Sequence, residues 1–84
     1  MLEDRYSNQA KRFLKKAEDS LRIRLMKKID ELREKPFSPD TKRVEGSTEK
    51  IFRVRVGDYR ILYEVDYENN VLGIVKIDKR PRAY

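Results

Sequence analysis

The sequence predicts an α+β domain: an N-terminal antiparallel helix hairpin packed on a three- to four-stranded antiparallel sheet. Three observations predict it. Residues 51–78 fall into three runs in which apolar and polar side chains alternate, as half-buried strands do, and Gly57-Asp58 supplies a two-residue turn between the first two. Residues 10–32 instead repeat apolar side chains at helical spacing, in two segments broken at Asp19-Ser20. Pro36-Phe37-Ser38-Pro39-Asp40 separates the two halves. At 84 residues the chain is a single domain, residues 1–84, able to bury only about 60–65% of its unfolded surface.

Taken in order, residues 1–6 alternate Leu2, Asp4 and Tyr6 with Glu3 and Arg5, which permits a short edge strand or an end that frays. Ser7 or Asn8 can cap a first helix whose apolar face is Ala10, Phe13, Leu14 and Ala17. Asp19-Ser20 can cap a second, running to about Lys35 with a stripe of Leu21, Leu25, Met26, Ile29 and Leu32. The short connection between them makes an antiparallel hairpin. Phe37 is expected to tuck under the end of the second helix. Residues 42–45 can add a short strand before the Gly46-Ser47-Thr48 loop.

The register of the remaining strands can be worked out from the turns. A two-residue turn at Gly57-Asp58 pairs Val56 with Tyr59, Val54 with Ile61 and Phe52 with Tyr63, so apolar meets apolar. It also sets Arg55 opposite Arg60 and Arg53 opposite Leu62. A second turn near residues 67–69 pairs Val65 with Val71, which carries Ile61 to Val75 and Arg60 to Lys76. The helices should then cover Phe52, Val54, Tyr59, Ile61, Tyr63 and Val75, leaving an open face rich in arginine. Like charges set opposite each other cost a few tenths of a kcal/mol to about one. Folding alone does not ask for Arg55, Arg60 and Lys76 together. For any single arginine a solvated arm is the simpler reading; for the set, continued by Arg53, Arg80 and Arg82, an anion site is. The net charge of +6, from 21 Lys and Arg against 15 Asp and Glu, makes a polyanion the natural ligand.

Composition removes several kinds of chemistry. There is no cysteine for disulfides or thiolate chemistry, and no histidine to act as a general base or metal ligand. No P-loop, dinucleotide fingerprint, zinc spacing or EF-hand loop is present, and no cofactor or metal is expected. Glu64, Asp66 and Glu68 read as a solvated hairpin end. No apolar run reaches membrane-spanning length and no signal-peptide pattern opens the chain, so a cytoplasmic address is expected. One phosphoryl-transfer route needs neither histidine nor metal. RNA carries its own 2′-hydroxyl nucleophile, which has to be aligned, deprotonated and given a partner for the charge that develops on phosphorus. Arginines can supply that partner. A tyrosine whose pKa is lowered by nearby cations can take the proton. The tail Lys79-Arg80-Pro81-Arg82-Ala83-Tyr84 offers both, and by residue chemistry alone a frayed basic end is an equal alternative.

Several stretches resemble one known family. AKRFLKKAEDSLRIRLMKKIDELREKP is similar to the helix hairpin of the RelE/ParE toxin superfamily of toxin–antitoxin systems, and RVEG to its Leu-Lys-Gly turn. FRVRVGDYRILYEV is the most specific stretch, close to an R-x-R-x-G-D-Y-R pattern followed by two apolar residues and Tyr. IDKRPRAY resembles the terminal I-G-H-R-x-x-V-Y more loosely. The resemblance covers residues 7–84 and implies the RelE-like microbial ribonuclease fold.

It also implies a ribosome-dependent mRNA endonuclease, independent of metal, monomeric when free and held by a RelB-like antitoxin in a higher-order complex. Carried over position by position, it implies catalytic roles for Arg60, Arg80 and Tyr84, with Tyr84 as base. It implies phosphate contacts from Arg53 and Arg55, and the charge of the open face and tail adds Lys76, Lys79 and Arg82 as expected phosphate contacts. Asp78 and Lys79 stand where the family usually has Gly-His, and a carboxylate there can pair with an arginine and compete with phosphate. The α-carboxylate of Tyr84 can do the same to Arg80 or Arg82. Two other readings follow: a ParE-like inhibitor of DNA gyrase, or a catalytically inactive paralogue that binds RNA or antitoxin.

Overall fold

In the computed structural model, which describes residues 1–46 and 50–79, the two helices lie on one face of a twisted sheet, as the sequence predicts. In chain order the elements are β1 (Glu3–Tyr6), α1 (Asn8–Lys16), α2 (Asp19–Glu34), β2 (Thr41–Arg43), β3 (Phe52–Val56), β4 (Tyr59–Asp66) and β5 (Val71–Lys79). The sheet has five strands in the order β1-β5-β4-β3-β2. This exceeds the expected three or four because both short candidate strands form. β1 pairs with β5 in parallel and the other pairings are antiparallel. Lys42 and Arg43 of the expected strand at residues 42–45 lie in β2, which starts one residue earlier. Part of the expected 46–48 loop lies outside the described residues.

The helices form where their stripes can be buried. Leu25, Ile29 and Leu32 of α2 and Ala10 of α1 are buried, with Phe13, Leu14, Leu21 and Met26 packed beside them. Ser7 caps α1, its hydroxyl accepting from the Ala10 amide at 3.1 Å. α2 starts differently from expectation: Glu18 is its cap residue and makes no side-chain cap bond, while Asp19 is the first helical residue. Asp19 pairs with Arg22 at 2.7 Å. The Arg22 guanidinium also donates to the Leu14 and Ala17 carbonyls, at 2.8 and 2.7 Å, at the C-terminal end of α1. One arginine thus joins the helices and satisfies the cationic preference of a helix C-terminus. Phe37 is not tucked away. It is 47% exposed and sets its ring against Phe52, centroids 4.7 Å apart.

The first hairpin has the expected register in full, from Phe52 opposite Tyr63 to Val56 opposite Tyr59, with Arg55 opposite Arg60. Gly57 has φ +58, and Asp58 is not in the left-handed region, a pattern that fits a type II′ turn.

The second hairpin departs from expectation. Val65 pairs with Leu72, Tyr63 with Ile74, and then Leu62 with Lys76, so Val75 is passed over. This β-bulge reverses the facing of β5 half-way along. Leu72 and Ile74 before it and Ile77 after it are all buried, and Val75, expected in the core, is 36% exposed. Neither strict alternation does as well. One would send Lys76 and Asp78 under the helices, which is costly for unpaired charge. The other would exchange Leu72 and Ile74 for Gly73 and Val75, forfeiting about 1.5–3 kcal/mol for each large side chain exposed. β1 ends opposite Ile74, and beyond it side chains from the start of α1 serve the bulged backbone. The Ser7 hydroxyl donates to the Val75 carbonyl at 2.6 Å, and the Gln9 amide bonds both the Ile77 N–H and C=O, at 2.9 and 2.7 Å.

Two predictions follow from this packing. Ser7→Ala removes a helix cap and a bulge hydrogen bond together and should cost about 1–2 kcal/mol in urea unfolding. Tyr63 is fully buried and donates its hydroxyl to the Pro36 carbonyl; burial pushes its pKa up to about 12. The folded state therefore holds this proton longer than the unfolded chain, whose tyrosines ionise near 10. Stability from this group is complete below pH 10 and is lost as pH rises toward 12. Tyr63→Phe should cost about 1 kcal/mol at pH 8, and the gap to wild type should narrow in urea melts at pH 11.

Candidate functional site

The sheet face turned away from the helices gathers cations in two cross-strand rows. Lys42 of β2 pairs with Arg53, Arg53 with Leu62, and Leu62 with Lys76, which makes one row. Arg55, Arg60 and Asp78 make the next. Neighbouring strands lie roughly 4.8 Å apart, so these side chains rise side by side. A concavity of about 570 Å³ opens at one end, lined by Lys42, Arg53, Arg60 and Leu62 with residues 43–45 of the adjoining edge.

Arg53, Arg55, Arg60 and Lys76 therefore share one face, as predicted. Arg55 pairs with Arg60 and Arg53 with Leu62 as predicted, but the pairing of Lys76 differs. Because the second turn shifts the pairing by one residue and the bulge by one more, Asp78 and not Lys76 stands opposite Arg60. The Arg60 guanidinium grips Asp78 with two bonds, Nε to one carboxylate oxygen at 2.7 Å and a terminal nitrogen to the other at 3.2 Å. This forked geometry is the one by which arginine also holds phosphate. The hydrogen bond to Asp78 raises the Arg60 pKa further, so the guanidinium is fixed in its charged form. Lys76 approaches the same carboxylate at 3.6 Å. A bidentate carboxylate thus lies where a phosphate would bind, with a second cation beside it.

Lys79 is not brought to this face. It pairs with Tyr59 across the strands and lines a cavity on the helix side. Arg80, Arg82 and Tyr84 lie outside the described residues. Lys42 was missed by the sequence reading, which placed a short strand there without extending the register across it; setting Lys42 opposite Arg53 would have found it. Among the described residues no group of three or more Asp or Glu is arranged to hold a metal ion, and no helix is long and apolar enough to cross a membrane.

Comparison with known proteins gives one family. Residues 5–84 match the family described as the ParE toxin of the type II toxin–antitoxin system, parDE. A Methanocaldococcus jannaschii protein named as a RelE1 toxin is 42% identical over 45 residues, 54% of this chain, and the matched stretch spans only 49% of that relative. Among solved structures, the archaeal RelE–RelB complex from Pyrococcus horikoshii OT3 is similar with a TM-score of 0.83 at 27% identity, over 98% of each chain. The RelBE2 toxin–antitoxin complex from Mycobacterium tuberculosis is similar with a TM-score of 0.78 at 26% identity, over 92% of this chain and 95% of that one.

The Arg60–Asp78 pair makes a testable expectation. Asp78→Asn should raise affinity for a single-stranded oligonucleotide about three- to tenfold and steepen its salt dependence by about 0.7 in log–log slope, as one more phosphate contact would. In an Arg60→Ala background the same substitution should change little. A fluorescence anisotropy titration of the four proteins measures the coupling.

Proposed function

The chain belongs to the ParE toxin family of type II toxin–antitoxin systems, within the RelE/ParE superfamily, and from this we propose that it is a RelE-like toxin that cleaves mRNA on the ribosome and so inhibits translation. The observation that carries the reading is the set of cations on the helix-free sheet face: Lys42, Arg53, Arg55, Arg60 and Lys76, facing Asp78. Such a surface suits consecutive phosphates of an extended strand.

In this reading the reaction needs no metal. The 2′-oxygen of one nucleotide attacks the adjacent phosphorus, the P–O5′ bond breaks, the leaving 5′-oxygen takes a proton from water, and a 2′,3′-cyclic phosphate and a 5′-hydroxyl remain. Tyr84 takes the proton from the 2′-hydroxyl, and its pKa must lie below the ordinary value near 10 for that role. Arg60 and Arg80 meet the charge that builds on the phosphoryl oxygens, with Asp78 releasing Arg60 as phosphate arrives. Arg53, Arg55, Lys76 and Arg82 hold the neighbouring phosphates. The proposed partners are mRNA, the ribosome and a RelB-like antitoxin, and the proposed address is the cytoplasm. The antitoxin assignment is supported by the RelE–RelB complex to which this chain is similar.

A second reading is favoured by the matched family, which is named for ParE: inhibition of DNA gyrase without RNA cleavage. Programmed ribosomes separate the two. Wild type is expected to cut mRNA in the ribosomal A site. Arg80→Ala and Tyr84→Phe are each expected to reduce the rate by at least about 100-fold, within the range for loss of an oxyanion partner or a general base. Tyr84→Phe should leave ribosome binding nearly unchanged. No cleavage by wild type, together with loss of gyrase supercoiling activity on its addition, would establish the second reading instead.

A further inference from the structure

A second cationic site lies round the end of the sheet from the arginine face. Here α1, the first turns of α2 and the β3–β4 end enclose a cavity of about 680 Å³. Arg12 and Lys16 enter it from one face of α1, Arg24 from α2 and Lys79 from the end of β5. Among the described residues none of these four is in an ion pair, and the lining holds one carboxylate, Glu18. Of the acids next to this lining in sequence, Asp19 is turned to Arg22, and Asp58 stands in the β3–β4 turn before Tyr59. The floor is aromatic: Phe13 and Tyr59 meet edge to face, centroids 5.8 Å apart at 68°.

At the start of α2, beside the cavity, Glu18 makes no side-chain cap bond. Arg24 is laid over the β3–β4 turn, where a Cβ on Gly57 would collide with its guanidinium. Cations around an aromatic floor are the elements of a nucleotide site, with phosphate on the rim and base on the ring. Tyr59 precedes Arg60 and Lys79 follows Asp78, so the cavity and the arginine face meet at the same end of β4 and β5, on opposite sides of the sheet.

We propose that this cavity is a second nucleotide-binding subsite for the same RNA strand, beyond the phosphates held on the open sheet face. Arg12, Lys16 and Arg24 hold its phosphates and Tyr59 stacks its base. The proposal rests on the reading above for the identity of the ligand as RNA.

The test uses the full chain and a fluorescein-labelled octauridylate, followed by anisotropy between 50 and 200 mM salt. Arg12→Ala with Lys16→Ala is compared with Lys11→Ala with Lys15→Ala. The second pair removes the same charge from exposed positions of the same helix that do not line the cavity. The cavity pair should weaken binding about tenfold and reduce the salt slope by about 1.4, the value for two single-strand phosphate contacts. The control pair should stay within about twofold. With a 2-aminopurine oligonucleotide, the quenching seen with wild type should be lost in Tyr59→Leu while the salt slope holds. Equal weakening by both pairs would reduce the effect to net charge and overturn the proposal. Arg53→Ala in the same assay separates the two readings. If it weakens binding and the cavity pair does not, the subsite falls and the RNA face stands; if neither does, both fall. If the cavity pair abolishes binding of an acidic peptide and leaves RNA binding intact, the cavity is a protein dock and the proposal is overturned.

Discussion

The bulge at Val75 is the constraint on which the rest of the structure depends. It lets one nine-residue strand bury Leu72, Ile74 and Ile77 against the helices while keeping Lys76 and Asp78 in solvent. Past Ile74 the outer edge of β5 has no strand partner among the described residues, because β1 ends there, and its buried backbone groups must be satisfied elsewhere. Ser7 and Gln9 do this from the first turn of α1, and Ser7 caps that helix with the same oxygen. The β1–α1 junction, β5 and the core are therefore tied together by one group of hydrogen bonds.

The same irregularity decides the electrostatics of the open face. An unbulged β5 in the expected register would set Lys76 against Arg60, adding like charge to a row that already holds Arg55. The bulge, added to the one-residue shift at the second turn, brings Asp78 there instead and moves Lys76 beside Leu62. Strand pairing rewards this, because opposite charges across strands attract and like charges repel by similar amounts. A forked carboxylate on Arg60 gives the fold its counter-ion and leaves the guanidinium oriented for an anion of the same shape. Stability and binding then compete for one side chain, and the balance is set by Asp78.

The site was partly legible in the sequence because side chains alternate along strands. Once the Gly57-Asp58 turn fixed the first hairpin, Arg53, Arg55 and Arg60 had to share a face, and they do. Lys76 reached that face by a different pairing from the expected one. Lys79 did not reach it, since Tyr59 opposite it points to the helix side. Lys42 escaped notice because a three-residue edge strand has almost no periodicity of its own.

The sequence by itself determined the architecture, the first hairpin and the apolar stripes of both helices, since each is a local property: a repeat of side chains and a turn of defined geometry. Only the tertiary structure decided the facing of β5, the parallel addition of β1 and the partner of Arg60. The alternation in residues 71–78 is ambiguous, with Val71, Gly73, Val75 and Ile77 on one face and Leu72, Ile74, Lys76 and Asp78 on the other. What resolved it was the joint demand of a helix layer for large aliphatic side chains and of two charged residues for water. That demand exists only when strands and helices are assembled, and no local pattern carries it.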